Sequence, residues 1–160
     1  MARSAVPYRI HSHLGAAMPV LSLKVEDLIP HRPPMVLIDA IESVELSENK
    51  LVASFTAREE WRGNWFALEY MAQTAAALAG AFDRASNENA AVRPGFLLGT
   101  RRLDLGLPEF EPGSKYLVLA VREYEDGDSA VFSCEIRELD ASDCSRKCTA
   151  TLTAYRPPLR

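Results

Sequence analysis

No stretch of this sequence is apolar for long enough to cross a bilayer as a helix. None has the continuous apolar run of a secretory signal either; residues 5–14 are interrupted by Pro7, Arg9, His11 and His13. Basic residues are not in excess. Eighteen Lys and Arg stand against 22 Asp and Glu, for a net charge of −4. That balance removes the electrostatic footprint of a nucleic-acid binder, and an acidic substrate has to be met by a local patch. Cysteine is scarce: Cys134, Cys144 and Cys148 are an odd number without framework spacing. This argues against a disulfide scaffold and for a reducing, cytoplasmic setting. No histidine or further cysteine accompanies Cys144 and Cys148, so the four ligands of a structural zinc are missing and no metal site is expected. A glycine-rich phosphate loop and a Ser/His/Asp constellation are also absent. Histidine is nearly as scarce as cysteine, and from Met18 onward His31 stands alone.

What is present is a chain of 160 residues, 48% hydrophobic and 25% charged, enough for one domain with a real core. Residues 1–17 read differently from the rest. They carry Arg3 and Arg9, no acid and no firm apolar period. They are expected to be a start-site extension or disordered arm ahead of a single domain over 18–160; His11 and His13 alone are a weak metal signal.

The segment from Phe66 to Phe82 is the clearest helix, alanine-rich and apolar on nearly all sides, so it is expected to be enclosed. Asn64 is its expected N-cap. Leu68, Met71, Ala72, Ala75, Ala76 and Ala79 form its expected contact face. Glu69 and Gln73, four residues apart, lie one above the other on one side.

Around this helix the pattern is mostly strand. A short helix over 22–29, capped by Ser22 and stopped by Pro30, leads into His31-Arg-Pro-Pro34, a stiff extended turn. Residues 35–44 and 50–57 read as strands joined by a hairpin at 47–49. After the helix come strands over 95–103, 116–124, 130–138 and 147–155, with a strong turn at Glu125-Asp-Gly-Asp128. Strands outnumber helices without βαβ alternation, so the fold class is α+β with an antiparallel sheet that wraps the helix and leaves an edge for a second chain to cover.

Two motifs occur in a telling order. Leu28-Ile-Pro-His-Arg-Pro-Pro-Met-Val-Leu-Ile-Asp39 is followed by Leu68-Glu-Tyr-Met-Ala-Gln-Thr-Ala-Ala76, and later by Phe96-Leu-Leu-Gly-Thr-Arg-Arg-Leu-Asp104 and Glu111-Pro-Gly-Ser114. Together they resemble the 3-hydroxyacyl-acyl carrier protein dehydratase family of hotdog-fold enzymes. The resemblance runs over residues 25–155. It implies a hotdog fold, a long helix wrapped by a six-stranded sheet, with two such units pairing into one sheet. It also implies dehydration of a 3-hydroxyacyl thioester to the trans-2-enoyl thioester, on acyl carrier protein or coenzyme A, without a cofactor. A homodimer is expected, with a higher oligomer or a heterodimer as alternatives. One departure stands out. Ordinary members carry the catalytic histidine in a His-Phe-Pro-Gly-type loop just before the helix, and here that loop is Glu60-Trp-Arg-Gly-Asn-Trp-Phe66. The pattern is similar to a divergent branch associated with aryl-polyene and related pathways.

The chemistry needs a base for the C2 proton, an acid for the C3 hydroxyl, and donors for the thioester oxygen. A neutral imidazole suits the first role, a carboxyl group in an apolar tunnel the second, and backbone N–H groups the third. Glu69 is the candidate acid, against the plainer reading of a first-turn acid favoured by the helix dipole. His31 is the candidate base, against a loop histidine that pins the proline-rich turn. Gln73 would orient Glu69 or bind the pantetheine side, or simply pack. Gly99 would let the thioester approach the backbone, or mark a bulge. Trp65 and Phe66 would wall the tunnel or join the core. Arg101 and Arg102, with Arg93, would meet the acidic face of a carrier protein, or be a solvated strand edge. Two rivals share the fold: an acyl thioesterase using the helix acid to activate water, and a degenerate subunit shaping an active partner's tunnel.

Overall fold

The computed structural model describes residues 23–143 and 145–158. The expectations for residues 1–17, Met18, the Ser22 cap and Cys144 fall outside the described residues. Among those described there is one long helix, α1 (Ala67–Ser86), and one six-stranded antiparallel sheet. The strands are β1 (Ala40–Glu45), β2 (Lys50–Thr56), β3 (Phe96–Leu105), β4 (Lys115–Asp126), β5 (Ser129–Glu138) and β6 (Cys148–Tyr155). Their spatial order is β1-β2-β4-β5-β6-β3, so β1 and β3 are the two edges. The helix packs against β2, β4, β5 and β6. This is the α+β antiparallel class expected from the element order, in the hotdog arrangement that the resemblance implies.

The core sits between α1 and the inward faces of the central strands. Phe55 on β2 stacks on Tyr70 of α1 at 3.6 Å between ring centres, and Tyr116 lies on its other side at 5.2 Å. Phe110 meets all three edge-on, at 5.1–5.4 Å. Every one of these rings is at most 2% exposed. The Tyr116 hydroxyl accepts the Glu111 N–H at 2.8 Å, which satisfies its polar end inside the core. Burial pushes the Tyr70 phenol far above its ordinary range. The β4–β5 hairpin closes at Gly127, whose φ of +58° suits the first central position of a tight turn.

Four local expectations need correction. The first strand begins at Ala40, five residues later than the apolar run suggests, because Met35 and Leu37 spend backbone groups on a side chain of α1 rather than on a neighbouring strand. The Pro33–Pro34 segment is a tight turn rather than an extended one; its peptide is cis, and Met35 N–H donates to Arg32 O at 2.9 Å. In place of the short helix expected over 22–29, the described residues 23–29 hold the 3₁₀ turn Val25–Asp27, with Lys24 at its N-cap. Asn64 does not cap α1. It opens a 3₁₀ turn, Asn64–Phe66, and its amide donates to Leu107 O at 3.0 Å, fastening the entry loop to the 107–110 segment.

The buried face of α1 is also rotated from the expected one. Tyr70, Met71, Gln73, Thr74, Ala75, Ala77, Leu78 and Ala81 are buried, whereas Leu68, Ala72, Ala76 and Ala79 are only partly so. The bulkier side chains gain most from leaving water, so Tyr70, Met71 and Leu78 go to the core. The small residues are left to line a cavity.

Candidate active site

Glu69 lies in the first turn of α1, and its carboxylate is held from one side. Gln73, one turn on, donates from Nε2 to Glu69 Oε1 at 2.8 Å. The same Nε2 donates to Met35 O at 2.8 Å, and Gln73 Oε1 accepts the Leu37 N–H at 2.9 Å. Gln73 is 0% exposed, and the helix fixes its backbone, so one buried amide ties the carboxylate to the segment that follows His31.

His31 reaches the same carboxylate oxygen. Its Nε2 stands 3.5 Å from Glu69 Oε1, close, but longer than a good hydrogen bond. Both side chains remain about one-third exposed. His31 Nδ1 is buried and has no partner among the described residues. The imidazole is held by its backbone: Ile29, two residues earlier, is fully buried, and Arg32 Nη1 donates to Ile29 O at 3.0 Å and to His31 O at 2.7 Å.

These two groups border a cavity of about 340 Å³. It follows the alanine face of α1 from Glu69 past Ala72, Ala76 and Ala79 to Gly80. The eleven helical steps from Glu69 to Gly80 span about 16 Å, so the space is elongated. Its other walls come from the start of β3 (Phe96, Leu97), from β5 (Ala130, Phe132) and from β6 (Leu152, Ala154). The C-terminal end of α1 is polar. Arg156 makes a two-pronged pair with Asp83 at 2.7 and 3.0 Å. Arg122 stacks over Phe82 at 3.8 Å and pairs with Glu125 at 2.7 Å. Arg122, Glu125 and Arg156 all line the cavity. No local pattern in the sequence marks this end, because Asp83 and Arg156 are 73 positions apart.

Of the other anticipated site residues, Arg93 alone is gathered here. Trp65 is 69% exposed and lies beside Phe66, with ring centres 5.7 Å apart; Phe66 sits edge-on to Trp61 at 5.0 Å. Neither touches the cavity of the single chain. Gly99 sits where the β3–β6 register shifts, which is the bulge reading, and a side chain there would meet nothing within 4 Å. Arg93 lines the cavity and donates to Pro157 O at 2.5 Å. Arg101 and Arg102 are exposed on β3 without an ion pair among the described residues.

What the arrangement offers is an imidazole nitrogen and a carboxylate within one small volume, opening on a long, mostly apolar space. The remaining oxygen, Glu69 Oε2, has no partner among the described residues and is available to a ligand.

Comparison with known proteins bears on the family and the fold. The ApeP-like family model, described as ApeP dehydratase, matches residues 23–160. Among solved structures, the dehydratase heterocomplex ApeI:P from Xenorhabdus doucetiae is similar at a TM-score of 0.72 and 26% identity, over 85% of this chain and 92% of that one. A HP0420 homologue from Helicobacter felis aligns with a TM-score of 0.59 at 11% identity, over 89% and 93%. A hypothetical thioesterase with coenzyme A from Streptococcus pneumoniae aligns at 0.54 and 12%, over 75% and 86%. The latter two share the fold alone. No curated protein sequence matches.

Proposed function

This chain belongs to the ApeP dehydratase family, and from that premise we propose that it removes water from a 3-hydroxyacyl thioester, borne on an acyl carrier protein or coenzyme A, to give the trans-2-enoyl thioester. The observation that carries this reading is the approach of His31 Nε2 to Glu69 Oε1 at 3.5 Å, at the edge of an elongated cavity. The C2 proton and the C3 hydroxyl are on adjacent carbons, so a base and an acid this close together reach both from one side. His31 Nε2 takes the C2 proton. Glu69 enters this step in its acid form: the C2–H electron pair becomes the C2–C3 double bond, the C3–O bond breaks, and the Glu69 carboxyl gives its proton to the departing hydroxyl, leaving a carboxylate beside a protonated His31. One proton leaves and one is delivered, so the step balances without a redox partner. Gln73 occupies Oε1, and in this reading Oε2 delivers the proton. The acyl chain runs along Ala72, Ala76 and Ala79, whose methyl groups leave it room.

A second chain belongs in this reading. Nine of the ten residues of β3 are exposed in the single chain, Phe96 and Leu98 at 55% and 62%. A bare edge of this length that opens on Phe96-Leu97-Leu98 calls for a partner strand. The partner is a second copy of this chain or, as in the ApeI:P heterocomplex, a different dehydratase subunit.

The test is direct. The protein, alone and with a partner dehydratase subunit, is incubated with a 3-hydroxyacyl carrier-protein thioester and the acyl species are weighed by mass spectrometry. Loss of one water supports the proposal. Release of the free acid would identify a thioesterase instead, and no reaction in either mixture would leave a degenerate subunit. Glu69→Gln is expected to abolish the loss of water while leaving the circular dichroism spectrum unchanged; near-normal turnover in that variant would sink the site assignment.

A further inference from the structure

Gly80 lies in the interior of α1, where glycine is the poorest ordinary helix former. A glycine kept there calls for a packing reason, and the structure supplies one. A side chain at position 80 would place its Cβ 2.3 Å from the carbonyl oxygen of Leu28 and 3.0 Å from its Cα and carbonyl carbon. Those are backbone atoms, so a flexible side chain cannot relieve the contact. Leu28 is three residues before His31, and the link between them is stiff. Leu28 and Ile29 are buried at 2% and 0%, Leu28 N–H donates to Val25 O at 2.9 Å and Ile29 N–H to the same oxygen at 3.1 Å, and Pro30 has a fixed φ.

The segment is fastened to α1 at its other points as well. Arg84 Nη2 donates to Asp27 O at 3.3 Å, and Gln73 holds Met35 O and Leu37 N–H beyond the histidine. Positions 69, 73, 76 and 80 recur at the three-to-four spacing of one helix face. The His31 segment therefore lies along that face, with its approach distance set at one end by Gly80 and at the other by Gln73.

We propose that Gly80 is a positioning residue: by letting the Leu28 backbone seat on α1, it sets the distance between the His31 imidazole and the Glu69 carboxylate three helical turns away. The consequence for turnover rests on the dehydratase reading above; the consequence for geometry does not. Gly80→Ala favours the helix intrinsically, yet pushes the Leu28 carbonyl outward and draws His31 away from Glu69. A displacement of about 1 Å at reacting groups costs on the order of a hundredfold in rate.

Two measurements test this on the purified full chain. The first is a double-mutant cycle on dehydration of a 3-hydroxyacyl carrier-protein thioester, with Gly80→Ala, His31→Ala and both together. The expected result is a large loss in kcat for Gly80→Ala alone and no further loss when it is added to His31→Ala. An equal loss in both backgrounds would show a general structural role and overturn the proposal. The second reads the geometry without turnover, from the His31 ring resonances in nitrogen-15 NMR. Glu69→Gln is expected to shift them in the wild-type background and to leave them unmoved in the Gly80→Ala background. The same shift in both backgrounds would overturn the proposal even in a protein with no dehydratase activity; loss of the shift would uphold it there. Should Gly80→Ala not fold, Arg84→Met loosens the same segment at Asp27 and takes its place in both measurements, with a smaller loss expected in the same pattern.

Discussion

A single amide, that of Gln73, serves the Met35 carbonyl, the Leu37 N–H and the Glu69 carboxylate at once. Replacing it by leucine keeps the volume roughly constant but leaves the buried Leu37 N–H without an acceptor. Gln73→Leu should therefore cost about 1–3 kcal/mol of stability, read as a lower urea midpoint, and should lower turnover as the carboxylate loses its holder. A variant with unchanged midpoint would show that water replaces the amide. Cys134 makes a different point at the same scale. It is 4% exposed, and burial pushes its thiol up to about 12. In the folded protein it should resist alkylation at pH 8 and react only after denaturant is added. Because the folded value is raised, this group's contribution to stability is complete below its ordinary value of 9.0. It declines as the pH rises from there towards 12, since only the unfolded chain gives up the proton. A midpoint that rose above pH 9 on account of this residue, judged against Cys134→Ala, would contradict the sign.

At the scale of elements, α1 divides its surface between two tasks. Tyr70, Leu78 and their buried neighbours meet the sheet, and the alanine face is left to the cavity. The ring cluster of Phe55, Tyr70, Phe110 and Tyr116 joins α1 to β2 and β4. Phe55→Ala should destabilise the protein by about 3–5 kcal/mol, whereas Trp65→Ala, at a 69% exposed position, should change stability by less than about 0.5 kcal/mol. Comparable urea midpoints for the two would show that the cluster is not the main joint between α1 and β2. The wrapped helix was legible from its composition, and so was the alternation of the strands. Its rotation was not, because alanine is compatible with either face; only the competition with Tyr70 and Leu78 for the core settles which alanines remain outside.

At the scale of the molecule, the sheet ends on one side in β3, whose exposed Phe96, Leu97, Leu98 and Leu103 lie among Arg101, Arg102 and Asp104. A charge in the middle of such an edge opposes strand addition. Leu98→Lys should shift the assembly towards a single chain in sedimentation velocity without altering the sheet content seen by circular dichroism. An unchanged sedimenting mass would show that β3 is not the joining edge.

The sequence by itself determined the order of elements, the antiparallel class, the family, and the pair of residues, His31 and Glu69, on which the chemistry is proposed to rest. These are local matters: apolar period, turn residues and short motifs are written in neighbouring positions. The tertiary structure decided what depends on distant ones. It brought His31 to 3.5 Å from Glu69 across 38 positions of chain. It gave Gln73 its three partners, let the Leu28 carbonyl occupy the space a side chain at Gly80 would fill, and put the Arg156–Asp83 pair at one end of the cavity. None of these contacts has a local signature, because each is set by how closely two separate segments can approach once the bulky side chains have claimed the core.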